Sequence, residues 1–154
     1  MAIGVDRESL AWAAGFFDGE GHVHYGVTRR TEGGTPYRRI GISIAQSDRE
    51  RLDRFAAVIG VGKVNGPYNS RNERAKPFHQ WAVNTFEYVQ HTGVVMWTWL
   101  GPAKRQQFDR ALTSWLSYVP EAVPCQHGDD RARCRECRSE ATRRGWETRR
   151  RKAS

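Results

Sequence analysis

A chain of 154 residues, 38% hydrophobic and 27% charged, can bury one ordinary core with a small appendage, which excludes a disordered chain. A net charge of +8 and a pI near 9.9 point to a polyanionic partner, of which nucleic acid is the commonest. The opening MAIGVDRESLAW has no basic stretch before an apolar run, so no secretory leader is read there; the most apolar stretch, 94–100, is too short to span a bilayer, which argues against a membrane partner.

The first segment, 6–17, reads as a helix capped by Asp6, with Leu10, Ala13, Ala14 and Phe17 at helical spacing. Asp18-Gly19-Glu20-Gly21 follows, and its two glycines are expected to stop the helix and turn the chain. From 22 to 30 Val23, Tyr25 and Val27 alternate with polar or small residues, the period of a half-buried strand. TEGGTP (31–36) is a turn, and 37–46 is a second strand with Ile40, Ile42 and Ile44 on one face. Asp48 caps a helix with Leu52, Phe55, Ala56 and Ile59 on its buried stripe, ended by Gly60 and Gly62. Strands at 63–68 and 78–84 flank a basic loop, and two further helices are expected at 86–97 and 102–118, with Gly93 weakening the first. The order is that of an α+β fold: a four-stranded antiparallel sheet with helices on one face. Residues 1–118 form the main domain, 119–124 a proline-containing linker and 125–154 a tail. The tail holds ten Lys/Arg against five Asp/Glu, most of the chain's excess charge.

Ala13-Ala14-Gly15-Phe16-Phe17-Asp18-Gly19-Glu20-Gly21 resembles the signature of the LAGLIDADG homing endonucleases, whose core has the order αββαββα. Ile44-Ala45-Gln46 resembles that family's second strand, ending in a glutamine, and the IGVGKV run at 59–64 resembles the start of its third; the similarity spans about residues 8–118. The resemblance implies a divalent-metal phosphodiesterase using Mg²⁺ or Mn²⁺, with Glu20 and the Gly19 backbone as metal ligands. Asp18 matches an earlier acidic position that is not the principal ligand, and it reads first as a stabiliser of the helix's C-terminal turn. Gln46 would order water near the scissile phosphate, and Lys104 or Arg105 would supply the basic group. Family members with one motif form homodimers, so small side chains at Ala13, Ala14 and Gly15 would let two such helices meet at a twofold axis over a near-palindromic duplex. The competing reading is a non-cleaving DNA- or RNA-binding protein on the same scaffold, a maturase or regulator; the intact DGEG favours the nuclease.

Period two places His22, His24, Thr28, Arg30, Arg39 and Ser43 on the sheet face opposite the isoleucines, joined by Lys63, Asn65 and Gln80. These are the donors and acceptors that read base edges, and the resemblance puts that face in the major groove of double-stranded DNA. Arg71, Arg74 and Lys76 in the long loop suit phosphates. In the tail, Cys125, His127, Cys134 and Cys137 give C-x-H-x6-C-x2-C, a ligand set for structural zinc; free thiols in a disordered basic tail are the other reading. Arg143, Arg144, Arg149 and Arg150 around Trp146 would track backbone phosphates. Three cysteines, all beyond residue 124, suit a reducing compartment, and with the resemblance imply the cytoplasm of a bacterial or phage-infected cell, near the nucleoid.

Overall fold

The structure is a computed structural model that describes residues 6–29, 36–69, 76–120, 125–127 and 134–153. The chain runs α1 (Arg7–Glu20), β1 (Gly21–Thr28), β2 (Tyr37–Gln46), α2 (Arg49–Ile59), β3 (Lys63–Tyr68), β4 (Phe78–Val83), α3 (Phe86–Met96), α4 (Pro102–Ser117) and α5 (Arg135–Ala153). The fold is α+β, as the periodicity predicts, with an antiparallel sheet in the order β1-β2-β4-β3.

Local chemistry accounts for the element ends. Asp6 caps α1 by accepting from the Ser9 N–H at 2.7 Å, and Asp48 caps α2 by accepting from the Glu50 N–H at 3.1 Å. Gly60 closes α2 at φ 77°, the left-handed conformation that glycine adopts without a Cβ penalty. Two expectations needed correction. α1 does not stop before DGEG but runs through Glu20, so Gly19 lies within the helix and Gly21 is its C-cap. An added Cβ on Gly21 would lie 2.5 Å from the Phe17 carbonyl and ring, so that cap requires glycine for close approach rather than for a turn. The tail carries a 19-residue helix, α5, that its sequence alone did not suggest.

Contacts divide the chain into two compact units. The first extends to Gly26 and from Arg38 to Tyr118. Its core joins Ala13, Ala14 and Phe17 of α1, the isoleucines of β2, Leu52, Phe55 and Ile59 of α2, and Trp81 and Val83 of β4 to Val89, Met96 and Phe108 of α3 and α4. Trp81 is fully buried, sits edge-on to Phe55 at 4.8 Å and donates its Nε1–H to the Val61 carbonyl at 3.0 Å. Gly93 is buried on α3 with its Cα facing the Phe108 ring, so it is a packing residue rather than a weak point. The second unit comprises Val27–Tyr37 and the chain from Val119 onward, including α5. Among the described residues no helix is long and apolar enough to cross a membrane.

Candidate functional site

The carboxyl end of α1 is held by α4 from 83 residues away. Asp18 accepts from the Gly101 N–H at 2.7 Å, and Lys104 donates from Nζ to the Gly21 carbonyl at 2.5 Å. Gly101 is the N-cap of α4 and has no side chain with which to cap; a carboxylate bonded to the N-cap N–H does here what the glutamate of a capping box does locally. Asp18 is thus a stabiliser of a helix end, but of α4's beginning rather than of its own helix. Lys104 shares the buried stripe of α4 with Phe108 and Ala111, only 8% exposed, its ammonium 5.4 Å from the Phe17 ring centroid. Burial lowers its pKa, and the Asp18 carboxylate opposes that shift. Arg105 turns elsewhere, donating to the Thr98 carbonyl at 3.0 Å, so of the two basic candidates only Lys104 bonds to the α1 terminus.

Glu20 is exposed and makes no hydrogen bond or ion pair with the described residues. It occupies the negative end of the α1 dipole, where the last carbonyls of a helix lack intrahelical partners. An open carboxylate beside such carbonyls is a hard oxygen donor set, which fits a small divalent cation that keeps most of its waters. Gly19 is exposed, with no atom within 4 Å of where a Cβ would stand, so a phosphate or partner backbone can come close. Ala13 and Ala14, by contrast, are fully buried in the chain's own core; of the three small residues only Gly15 faces outward. Gln46, half-buried, ends β2 opposite His79, and its parity with Ile42 and Ile44 puts it on the helix-covered side.

Strand register settles the other face. Ser43 pairs with Ala82 and Ala82 with Lys63; Ala45 pairs with Gln80 and Gln80 with Asn65. Directly paired residues point the same way, so Ser43, Lys63, Gln80 and Asn65 share the side opposite Ile42, Ile44, Trp81 and Val83. On β1 His22 is exposed and His24 half-buried, their rings stacked at 5.9 Å. A Cβ on Gly41 would meet the His24 ring at 2.5 Å and the Asn84 Oδ1 at 2.7 Å, so Gly41 makes room for a His24–Asn84 pocket on that face. Desolvation, then the His22 and Arg39 charges, lower the His24 pKa. Asn84 is a polar group missing from the sequence-derived set, although extending the Gln80–Ala82 parity by one step reaches it. Arg39 is exposed, whereas Arg38 lies 4.0 Å over the Trp115 ring and donates to the Trp115 carbonyl, a structural role. Thr28 is half-buried at the end of β1 and Lys76 is exposed before β4. Arg30, Arg71 and Arg74 lie outside the described residues.

In the second unit Cys125, His127, Cys134 and Cys137 converge, with ligand atoms all within 4.8 Å of one another. The three sulfurs lie 3.8, 3.4 and 3.5 Å from His127 Nδ1. Tetrahedral zinc, with bonds of about 2.3 Å to sulfur and about 2.0 Å to nitrogen, sets such atoms roughly 3.5 Å apart, so the set fits that ion. Burial and the neighbouring Cys125 and Cys134 thiols push Cys137 up to about 12. Arg143, Arg144, Arg149 and Arg150 are exposed along α5.

No protein-family model and no curated protein matches this chain. Solved structures do. The homing endonuclease I-CvuI in complex with a DNA target superposes with a TM-score of 0.56 at 22% identity, over 70% of this chain and 65% of that one. The archaeal intron-encoded homing endonuclease I-Vdi141I, also complexed with DNA, gives 0.56 at 18% identity over 71% and 69%. The LAGLIDADG meganuclease I-AabMI bound to uncleaved DNA gives 0.53 at 22% over 69% of this chain and 35% of that one. The chain therefore spans about two thirds of the I-CvuI length, and its fold is that of the LAGLIDADG homing endonucleases.

Proposed function

We propose that this chain is a site-specific double-strand DNA endonuclease of the single-motif LAGLIDADG type, acting as a homodimer with Mg²⁺ or Mn²⁺ on a near-palindromic target. The observation that carries the reading is an exposed Glu20, without a partner among the described residues, at the end of a helix whose terminus is clamped from behind by Asp18–Gly101 and Lys104–Gly21. A stabilising carboxylate would be paired; one left open at a rigid point suits a ligand. Glu20 and the Gly19 carbonyl would hold the cation, whose chemistry is to supply activated water and to neutralise phosphate charge. Lys104, through the Gly21 carbonyl, fixes the backbone from which Glu20 projects, and Gln46 would order water from the end of β2. Gly15 and Gly19 give α1 an open face on which a second copy could seat, bringing two Glu20 carboxylates to one dyad. The polar sheet face would read base edges in the major groove, with Lys76, Arg71 and Arg74 on phosphates. Residues 1–118 would be the nuclease domain and 125–154 an accessory DNA-contacting segment built on structural zinc, in a cytoplasmic, nucleoid-associated protein.

Cleavage of a randomised DNA library by wild type and Glu20→Gln, with Mg²⁺ and then with EDTA, tests this. Discrete double-strand cuts at a near-palindromic site, lost in the variant and in EDTA, are expected. Selective binding by the wild type with no cutting would replace the enzyme by a maturase or regulator.

A further inference from the structure

α5 cannot owe its helix to packing. None of its described side chains is buried, and Gly145, a poor helix former, stands near its middle. A helix without a packed face lacks the main source of helical stability, and its first turn fixes several dihedrals for a single hydrogen bond. That first turn is the part of α5 that the fold has tied down. The Cys134 carbonyl accepts the first intrahelical bond, from the Arg138 N–H at 3.2 Å, which makes Cys134 the N-cap and Cys137 the third helical residue. A capping box joins these same two positions through side chains. Here both sulfurs converge on His127 Nδ1, with Cys125 completing the set. Glu136, between them, places a carboxylate at the positive end of the helix dipole.

We infer that a zinc-class cation held by Cys125, His127, Cys134 and Cys137 acts as the cap and nucleus of α5, so that metal binding switches on a DNA-phosphate-binding helix. This rests on the zinc reading given above and adds a consequence that zinc binding alone does not entail. Arg135, Arg138, Arg143, Trp146 and Arg150 line one groove along the helix, which presents them together only when the helix is formed. Trp146 is 62% exposed, with the Arg149 guanidinium 5.2 Å from its ring centroid. Guanidinium forks suit phosphate oxygens, and a lone tryptophan is not the apolar stripe that a helix needs to lie in a membrane surface. Duplex DNA, the partner in the nuclease reading above, is the polyanion proposed for this helix.

The test uses the full chain, stripped with a chelator and titrated with Zn²⁺ in the absence of Mg²⁺. Helical circular dichroism should rise by roughly a third, the residues of α5 set against those of the other four helices, at one equivalent of metal. The thermal transition of the first unit should stay in place. Affinity for a non-specific duplex at about 0.1 M salt should rise tenfold or more, with a salt slope steeper by about 0.9 for each phosphate contacted. The triple variant Arg138→Ala, Arg143→Ala, Arg150→Ala should keep the helical gain and lose the gain in affinity. Tetrahedral Co²⁺–thiolate absorption with no change in helicity would overturn the inference and leave the zinc site standing. No metal uptake overturns both, and an equal zinc-dependent gain for anionic lipid vesicles overturns the choice of DNA.

Discussion

His24 sits in the space that Gly41 leaves open, beside Asn84 and stacked on His22, and its environment sets a pH response. Desolvation and two cationic neighbours make its protonation harder in the folded chain than in the unfolded one, whose ordinary value is 6.5. Between the lowered value and 6.5 the unfolded state binds more protons, so stability falls as pH drops through that window and is restored above it. Bound phosphates act in the opposite sense by favouring the imidazolium. DNA affinity should therefore rise as pH falls through histidine's ordinary 6.5 and below it, and His24→Gln should flatten the profile. A wild-type affinity without pH dependence would remove His24 from the interface. Gly41→Ala should disturb the same face by displacing the His24 ring, which calorimetric titration with a duplex can read as a loss of affinity.

Helix ends and helix contacts carry the next scale. Asp18 links α1 to α4, and Asp18→Ala leaves the Gly101 N–H without its acceptor; a loss of about 1 kcal/mol is expected, as for other caps, visible as a drop of a few degrees in Tm. Asp18→Asn should recover part of it, since an amide oxygen still accepts. At the α3–α4 crossing a Cβ on Gly93 would lie 3.0 Å from Phe108, which is fully buried and packed on Phe17 at 5.6 Å. Gly93→Ala gains about 1 kcal/mol of helix propensity but overpacks a ring with nowhere to move, which costs about 1–3 kcal/mol. Net destabilisation is expected in chemical unfolding; a stabilised variant would mean that the helices part more easily than their packing suggests.

Across the whole molecule, the nuclease reading requires two copies. Mixed dimers of wild type with Glu20→Gln should nick one strand of the target, while each homodimer cuts both or neither. A gel of supercoiled substrate distinguishes nicked from linear product. If the mixed sample gives only linear product in proportion to the wild-type homodimer, each active site does not depend on its own Glu20 as proposed. The two metal requirements should also separate: a zinc-selective chelator should weaken binding, and removing Mg²⁺ should stop cleavage without releasing the duplex.

Element order, most boundaries and the polar sheet face were legible in the sequence because they follow from local rules. Ile40, Ile42 and Ile44 alternate, Asp48 and Gly60 bracket α2, and strand parity assigns Ser43, Lys63, Asn65 and Gln80 to one side without knowledge of what covers the other. Tertiary structure decided what depends on distant partners. Gly19 reads as a helix stop, yet α1 continues through it to Glu20, its end clamped by Gly101 and Lys104. Ala13 and Ala14 read both as part of α1's apolar stripe and as small residues for a second helix, and they fill the chain's own core, since helix periodicity identifies a stripe without saying which neighbour it meets. Lys104 and Arg105, adjacent in sequence, part company only when α4 packs and buries one of them against Phe17. The four metal-ligand candidates could be counted from their spacing, but their convergence on the first turn of α5 is a fact of three dimensions. A chain fixes its own periodicity; which groups meet across 83 residues depends on the packing that brings them together.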